Sequence, residues 1–415
     1  MSHRVVAGIL GLSLAAACSA ADSSEIASTG ATTTSVSEQA PAAATDAAAT
    51  PGPSGVTTTA PEPGAGGDDA GIAPRDSDWR PVSCAPSGAR STRSVVTPQF
   101  PSTDRDPVDK RPILALRGLQ LCSGQPQAFR GSQDATVSVN MLWGMDIRCT
   151  FAGDDGTPHQ QSLRRSVMST RNHGGTGQQS QAVRWLFTPD RDGIYDCEVR
   201  AWGKTPAGGS GTMTVVPGAG TELSVSGVEP GGREWRQEQS AYLCHDNPDD
   251  PGCSRSATVL DDVFEATDAA RTIDVYAGVE ASVCTSAYAD CTSGTAGTRD
   301  FTIRTRLIAT QLVGPDSRTL CDGAQPHVTD RTTAVPGGQR LNHVKVHLED
   351  TAVPVVQNSS CSPYFAIRVL VDYVRTHPPA INHGGLVEGR VPDSGTSNPE
   401  NLNRYYTNAI ATNNV

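Results

Sequence analysis

Alternation of apolar and polar side chains at a period of two, cut by turn residues, most constrains what this chain can become. Across 183–202, Val183, Trp185 and Phe187 share one face of an extended segment. After Pro189 and Gly193, Tyr195, Cys197, Val199 and Ala201 share a face opposite Asp196, Glu198 and Arg200. Successive side chains of a strand point to opposite sides, so each segment offers one face to a core and one to water. The rhythm returns from Val137 to Phe151, from Ile273 to Val283, from Phe301 to Leu307 and from Phe365 to Tyr373. Parallel strands covered by helices would read as continuous apolar runs, and no helical period follows residue 17. The expected fold is therefore all-β, built as two antiparallel β-sandwich modules.

In the segment Asp192-Gly-Ile-Tyr-Asp-Cys197, the tyrosine stands two residues before the cysteine inside an alternating strand. This resembles the tyrosine corner and second cysteine of an immunoglobulin-like sandwich. The resemblance implies an architecture for the first module and leaves its function open.

Eleven cysteines, none in a Cys-x-x-Cys pair, point to disulfides in an oxidising compartment rather than to zinc. After Cys18 they fall into neighbouring pairs: Cys84 with Cys122, Cys149 with Cys197, Cys244 with Cys253, Cys284 with Cys291, and Cys321 with Cys361. Cys18 itself ends Leu14-Ala-Ala-Ala-Cys18, behind His3, Arg4 and an apolar run too short to span a bilayer. This resembles a bacterial lipobox, and the Ala-, Thr- and Gly-rich style resembles secreted lipoproteins of high-GC Gram-positive bacteria. The resemblance implies lipidation of Cys18 and a location on the outer face of the cell membrane; the alternative is ordinary cleavage near Ala21 and secretion.

The expected organisation is a signal peptide over 1–17, a disordered Ala/Thr/Ser/Pro-rich tether over 18–77, an immunoglobulin-like sandwich over 78–218, a second sandwich over 221–376, and an irregular or disordered tail over 377–415. The tether carries almost no large apolar side chain that could offset the entropy of ordering it. Its mean span is about 40 Å on flexible-chain scaling. Between Cys149 and Cys197, residues 153–181 are polar and Gly-rich and read as a long surface loop.

A net charge of −11 without clustered Lys and Arg excludes nucleic acid as the expected partner. His343 and His347 alternate with Val344, Val346 and Leu348, which places them about 13 Å apart on one strand face, too far to share an ion. Asp190-Arg-Asp-Gly193 lacks the distal ligands of a calcium loop; His245-Asp-Asn-Pro-Asp-Asp250 is the better acidic site, its plainer reading a turn tied by Cys244 and Cys253. Ser210 and Ser394 lie in Gly-rich polar segments without a strand-turn-helix to expose a nucleophile. No catalytic residue, metal site or cofactor is assigned.

A binding role is what remains. Arg233, Trp235, Arg236 and Tyr242 follow the module boundary without strand alternation and offer the residue types that grip proteins or sugar rings. The opposing reading has Trp235 and Tyr242 covering the junction of the modules. The expected function is a membrane-anchored, non-enzymatic binding lipoprotein for an envelope protein or glycan. Its rivals are an extracellular hydrolase of cell-wall glycans and a purely structural envelope component.

Overall fold

The computed structural model describes residues 84–103, 110–152, 164–173, 175, 177–205, 208–244, 254–283, 300–335, 343–377, 384–391 and 404–414. The chain is all-β, with two sandwiches inside one compact unit, 78–415. The first holds β1 (Arg90–Thr92), β2 (Gln99–Thr103), β3 (Arg111–Leu121), β4 (Gln127–Val137), β5 (Met141–Phe151), β6 (Arg164–Arg165), β7 (Ser169–His173), β8 (Gln179–Phe187), β9 (Gly193–Lys204), β10 (Ser210–Val216) and β11 (Glu222–Gly227). The second holds β12 (Arg233–Arg236), β13 (Ala241–Cys244), β14 (Ser256–Glu265), β15 (Thr272–Val283), β16 (Asp300–Gln311), β17 (His327–Val335), β18 (His343–Pro354), β19 (Tyr364–His377), β20 (Gly384–Val387) and β23 (Asn408–Asn414), while β21 (Arg390–Val391) and β22 (Arg404–Tyr405) pair only with each other.

In the first sandwich β4 pairs with β8 on one edge and with β10 and β11 on the other, while β9 lies between β3 and β5. The pairings are antiparallel except where β2 meets β9 at Thr103 and Lys204. Inward residues of both layers, including Phe129, Trp143, Ile147, Trp185, Tyr195 and Val199, form one core. The layers approach closely at Gly131, where a Cβ would stand 3.0 Å from Val199 Cγ2 and 3.2 Å from Ile147 Cγ1. Gly193 releases β9 with a φ of 149°, and a Cβ there would collide with the Phe151 ring.

The corner anticipated from the sequence is present: the Tyr195 hydroxyl donates to the Arg191 carbonyl at 3.1 Å. Cys149 and Cys197 are bonded, as are Cys84 with Cys122 and Cys321 with Cys361. One feature departs from the immunoglobulin pattern. Cys149 and Cys197 are register partners on β5 and β9, so their bridge ties neighbours within a layer rather than crossing between layers. The pairs Cys244–Cys253 and Cys284–Cys291, the lipobox and the tether lie outside the described residues.

Three expected boundaries need correction. The first sandwich extends past 218, because β11 pairs with both β4 and β1. The supposed loop over 153–181 contains β6 and β7, both paired with β5, and the start of β8. The described part of the tail beyond 376 contains strands: β23 lies between β12 and β15, and β20 joins β13 to β15.

In the second sandwich the layer of β12, β23, β15, β18, β20 and β13 covers the layer of β14, β19, β16 and β17. Ile273, Val279, Phe264, Phe365 and Val369 lie in the core between them. The other face of β15, which alternation marks as wet, is largely covered: Tyr276, Glu280 and Ser282 are 5%, 0% and 2% exposed. It is covered by the first sandwich. Thr170 N donates to Glu280 Oε2 at 2.9 Å, His343 N donates to Asn172 Oδ1 at 2.9 Å, and Lys345 Nζ donates to the Met168 carbonyl at 3.1 Å. The seam is thus polar yet hydrogen-bonded, as buried polar groups require.

Candidate functional site: a cleft along the seam

Because β4 alternates strictly, Ala128, Arg130, Ser132 and Asp134 leave the first core and face the seam. On β8, Ser180, Ala182, Arg184 and Leu186 do the same, and Ser224 and Ser226 of β11 extend the wall. The opposite wall comes from Asp274 and Tyr276 of β15, Glu349 of β18, and Ile410 and Thr412 of β23. Between the walls is a cleft of about 630 Å³. A second cavity of about 300 Å³ shares Arg130 and reaches Ser132, Asp134, Arg171, Lys345 and His347.

Four side chains meet here, and Arg184 crosses from one wall to the other. Arg184 donates through Nη1 and Nη2 to the two carboxylate oxygens of Glu349, at 2.5 and 2.6 Å. Its Cζ lies 5.1 Å from the centre of the Tyr276 ring, a cation–π distance. The Tyr276 hydroxyl meets His347 Nδ1 at 2.8 Å. Burial, followed by the cations Lys345, Arg184, Arg331 and Arg130, pushes His347 down to about 3, so its ring is neutral and Nδ1 accepts from the phenol. Burial pushes the phenol up, so it keeps its proton. Leu186, Tyr276 and Ile410, with Val228 against them, make an apolar patch in the cleft wall.

Farther along the seam lies a buried cluster. His343 Nδ1 is 3.0 Å from Glu280 Oε1 and 3.2 Å from Thr170 Oγ1. Burial pulls His343 down most, but the hydrogen bond and charge of Glu280 and the charge of Glu388 together outweigh it and raise the imidazole above its ordinary value. Burial likewise raises Glu280, against the pull of His343 and Lys345. Hydroxyl, imidazole and carboxylate are the constituents of a hydrolytic triad, but the geometry is wrong for one. A triad places acid and nucleophile on opposite ring nitrogens. Here both contact Nδ1, and Thr170 and Glu280 are 1% and 0% exposed.

The residues expected to bind a partner are placed differently. Trp235 is 8% exposed, belongs to the second core and meets Phe264 edge to face at 6.4 Å. Tyr242 is 9% exposed on β13. Arg233 donates to the Val263 carbonyl and lies over Trp235, whereas Arg236 donates to the Arg165 carbonyl and Glu234. Neither these four nor the rest of β12 and β13 line the cleft. The two histidines of β18 do lie on one strand, but against Glu280 and Tyr276 rather than in solvent. Asp192 accepts from Ser123 N at 2.6 Å, Ser210 begins β10, and His245–Asp250 and Ser394 fall outside the described residues. Cys84, Cys122 and Asp192 cluster closely, but the two cysteines are bonded to each other and offer no thiolate. Arg130, Arg184, Tyr276 and Glu349 escaped the sequence reading, although the aromatic Tyr276 on an otherwise polar strand face was a signal.

No family model matches the chain, and no curated protein matches it. Among solved structures it is similar to the N-terminal tandem pair of CBM22 domains of Paenibacillus barcinonensis Xyn10C, at 9% identity and a TM-score of 0.18, over 79% of this chain and 94% of that one. It is also similar to a structure of the infectious bursal disease virus Gx strain, at 10% identity and a TM-score of 0.22, over 80% and 78%. Neither likeness bears on what the cleft holds.

Proposed function

We propose that this protein is a non-enzymatic binding lipoprotein of the cell surface, held by a lipid on Cys18, and that the cleft along the seam seats a glycan. The observation that carries the reading is the cleft's composition at a volume of about 630 Å³, within the usual range for ligand sites. Ser224, Ser226, Asp274, Thr412 and Asn414 supply hydroxyl, carboxylate and amide groups, beside the apolar patch of Leu186 and Ile410. Sugars present the same mixture of hydroxyls and apolar ring faces. The Arg184–Glu349 pair and the Tyr276–His347 bond fix the walls before a ligand arrives, which lowers the ordering cost of binding.

The test is co-sedimentation of the full-length protein with insoluble peptidoglycan, chitin, cellulose and xylan, followed by capture with Ser226→Trp. Ser226 is exposed on the cleft wall, so an indole there fills the mouth without entering a core. Retention of wild type on at least one polymer, lost in Ser226→Trp at an unchanged melting temperature, is the expected result. Equal retention of the variant, or release of reducing sugar by wild type, would overturn the reading, the latter in favour of a hydrolase.

A further inference from the structure

The smaller cavity differs in charge from the molecule around it. The chain carries a net charge of −11, yet Arg130, Arg171 and Lys345 line this pocket with Asp134 as its lone acid. Asp134 is already engaged, accepting from Ser180 Oγ at 2.5 Å and from Gln178 Nε2 at 2.7 Å. Arg171 Nη1 donates to the Ser180 carbonyl at 3.0 Å, and Lys345 Nζ donates to the carbonyls of Met168 and Tyr406. These contacts orient the cations without pairing them, and Lys345 also feels the buried carboxylates of Glu280 and Glu234. Among the described residues, Arg130, Arg171 and Lys345 take part in no ion pair, whereas Arg184 next to them is fully matched by Glu349.

His347 in the pocket wall is pushed down first by burial and then by Lys345, Arg184, Arg331 and Arg130, and Arg171 first by burial and then by Arg331. Like charges lining one partly enclosed pocket repel one another, and a bound anion relieves that repulsion. The pocket volume, about 300 Å³, accommodates a group about the size of one monosaccharide. Arg130 also lines the larger cleft, so the two spaces follow one another along β4, Ala128 and Arg130 in one, Arg130, Ser132 and Asp134 in the other.

We propose that this pocket is an anion site, in which Arg130, Arg171 and Lys345 hold a carboxylate or phosphate monoester borne by a sugar whose ring lies in the adjoining cleft. Forked guanidinium donors match the paired oxygens of either anion, and Lys345 adds a compact charge. The sugar part rests on the reading of the cleft given above; the anion site does not.

The experiment is calorimetric titration of the full-length protein at low ionic strength with glucuronate, glucose 6-phosphate, inorganic phosphate and glucose, repeated on Arg130→Gln and Arg171→Gln. Arg130 is exposed, so its replacement leaves the fold intact. Saturable binding of glucuronate or glucose 6-phosphate is expected, with glucose weaker by roughly tenfold or more and each variant weakened by a similar factor, the scale of one lost charge-assisted hydrogen bond. The stronger of the two anionic sugars identifies carboxylate or phosphate as the recognised group. Equal binding of glucose, no saturation by any anion, or unaltered affinity in both variants would overturn the proposal. If neutral polymers are retained while the anions gain nothing, the anion site falls and the cleft reading stands; if the anions bind and no polymer is retained, the reverse holds.

Discussion

Arg184 and Glu349, 165 residues apart in sequence, meet in two parallel hydrogen bonds across the seam between the sandwiches. Their side chains remain 28% and 41% exposed, so solvent screens the pair and its contribution to stability is modest. A double-mutant cycle of Arg184→Ala and Glu349→Ala is expected to give a coupling energy of about 1 kcal/mol or less. The larger effect should be on the seam itself. Limited proteolysis of Arg184→Ala should cut at Val228–Gly232, between the sandwiches, faster than in wild type; unchanged cleavage there would show that the pair does not hold the walls together.

The Tyr276–His347 bond sets an acid limit. The folded protein holds His347 neutral down to about 3, whereas an unfolded histidine takes up its proton near 6.5. The unfolded state therefore binds more protons between these values. This contribution to stability is complete above about pH 6.5 and is lost progressively as the pH falls toward 3. His347→Gln keeps an acceptor for Tyr276 but cannot titrate, so its melting temperature should fall less than that of wild type between pH 6.5 and 4. Parallel curves would refute the assignment.

The tyrosine corner offers a local test. Removing the Tyr195 hydroxyl leaves the Arg191 carbonyl without its 3.1 Å donor, and Tyr195→Phe should cost about 1 kcal/mol in denaturant unfolding. A change below about 0.3 kcal/mol, well under the usual worth of such a bond, would mean that packing against Phe151 and Phe187 alone holds the corner.

What could be read from the sequence follows from how loudly each element speaks. β9 was legible because Tyr195, Cys197, Val199 and Ala201 contrast sharply with Asp196, Glu198 and Arg200. The covered face of β15 was not, because Tyr276, Glu280 and Ser282 look the same whether they meet water or another polar sheet. Trp235 misled for a related reason: an indole suits a core and a binding surface equally, and only its contact with Phe264 distinguishes them. The cleft lay beyond reach, since its walls come from strands as far apart as β4 and β23.

The proposed anchoring rests on Leu14 to Cys18 and the tether that follows. If Cys18 carries diacylglycerol, metabolic labelling with a fatty acid will mark the wild-type protein and not Cys18→Ser, and the variant will leave the membrane fraction. One acyl chain binds membranes marginally whereas two hold firmly, so the shift in fractionation should be large. An unlabelled wild type would point to ordinary secretion instead.

The last prediction concerns β23, which composition conceals and topology makes central. Asn408-Ala-Ile-Ala-Thr-Asn-Asn414 carries little hydrophobic signal, yet it pairs with β12 on one edge and β15 on the other. Ala409 and Ala411 point into the second core and are 0% exposed. Ile410 and Thr412 face the cleft, so the same strand serves the core with one parity and the candidate site with the other. Ala411→Arg would place an unpaired charge in that core, a cost of about 4 kcal/mol or more, large enough to threaten the fold. Thr412→Arg, one residue away on the opposite face, should leave the melting temperature within a few degrees of wild type while narrowing the cleft and weakening glycan retention. Thermal unfolding of the two variants side by side decides the matter: if both are equally mild, the segment is a dispensable tail, and if Ala411→Arg alone collapses the second sandwich, β23 is an integral strand of it.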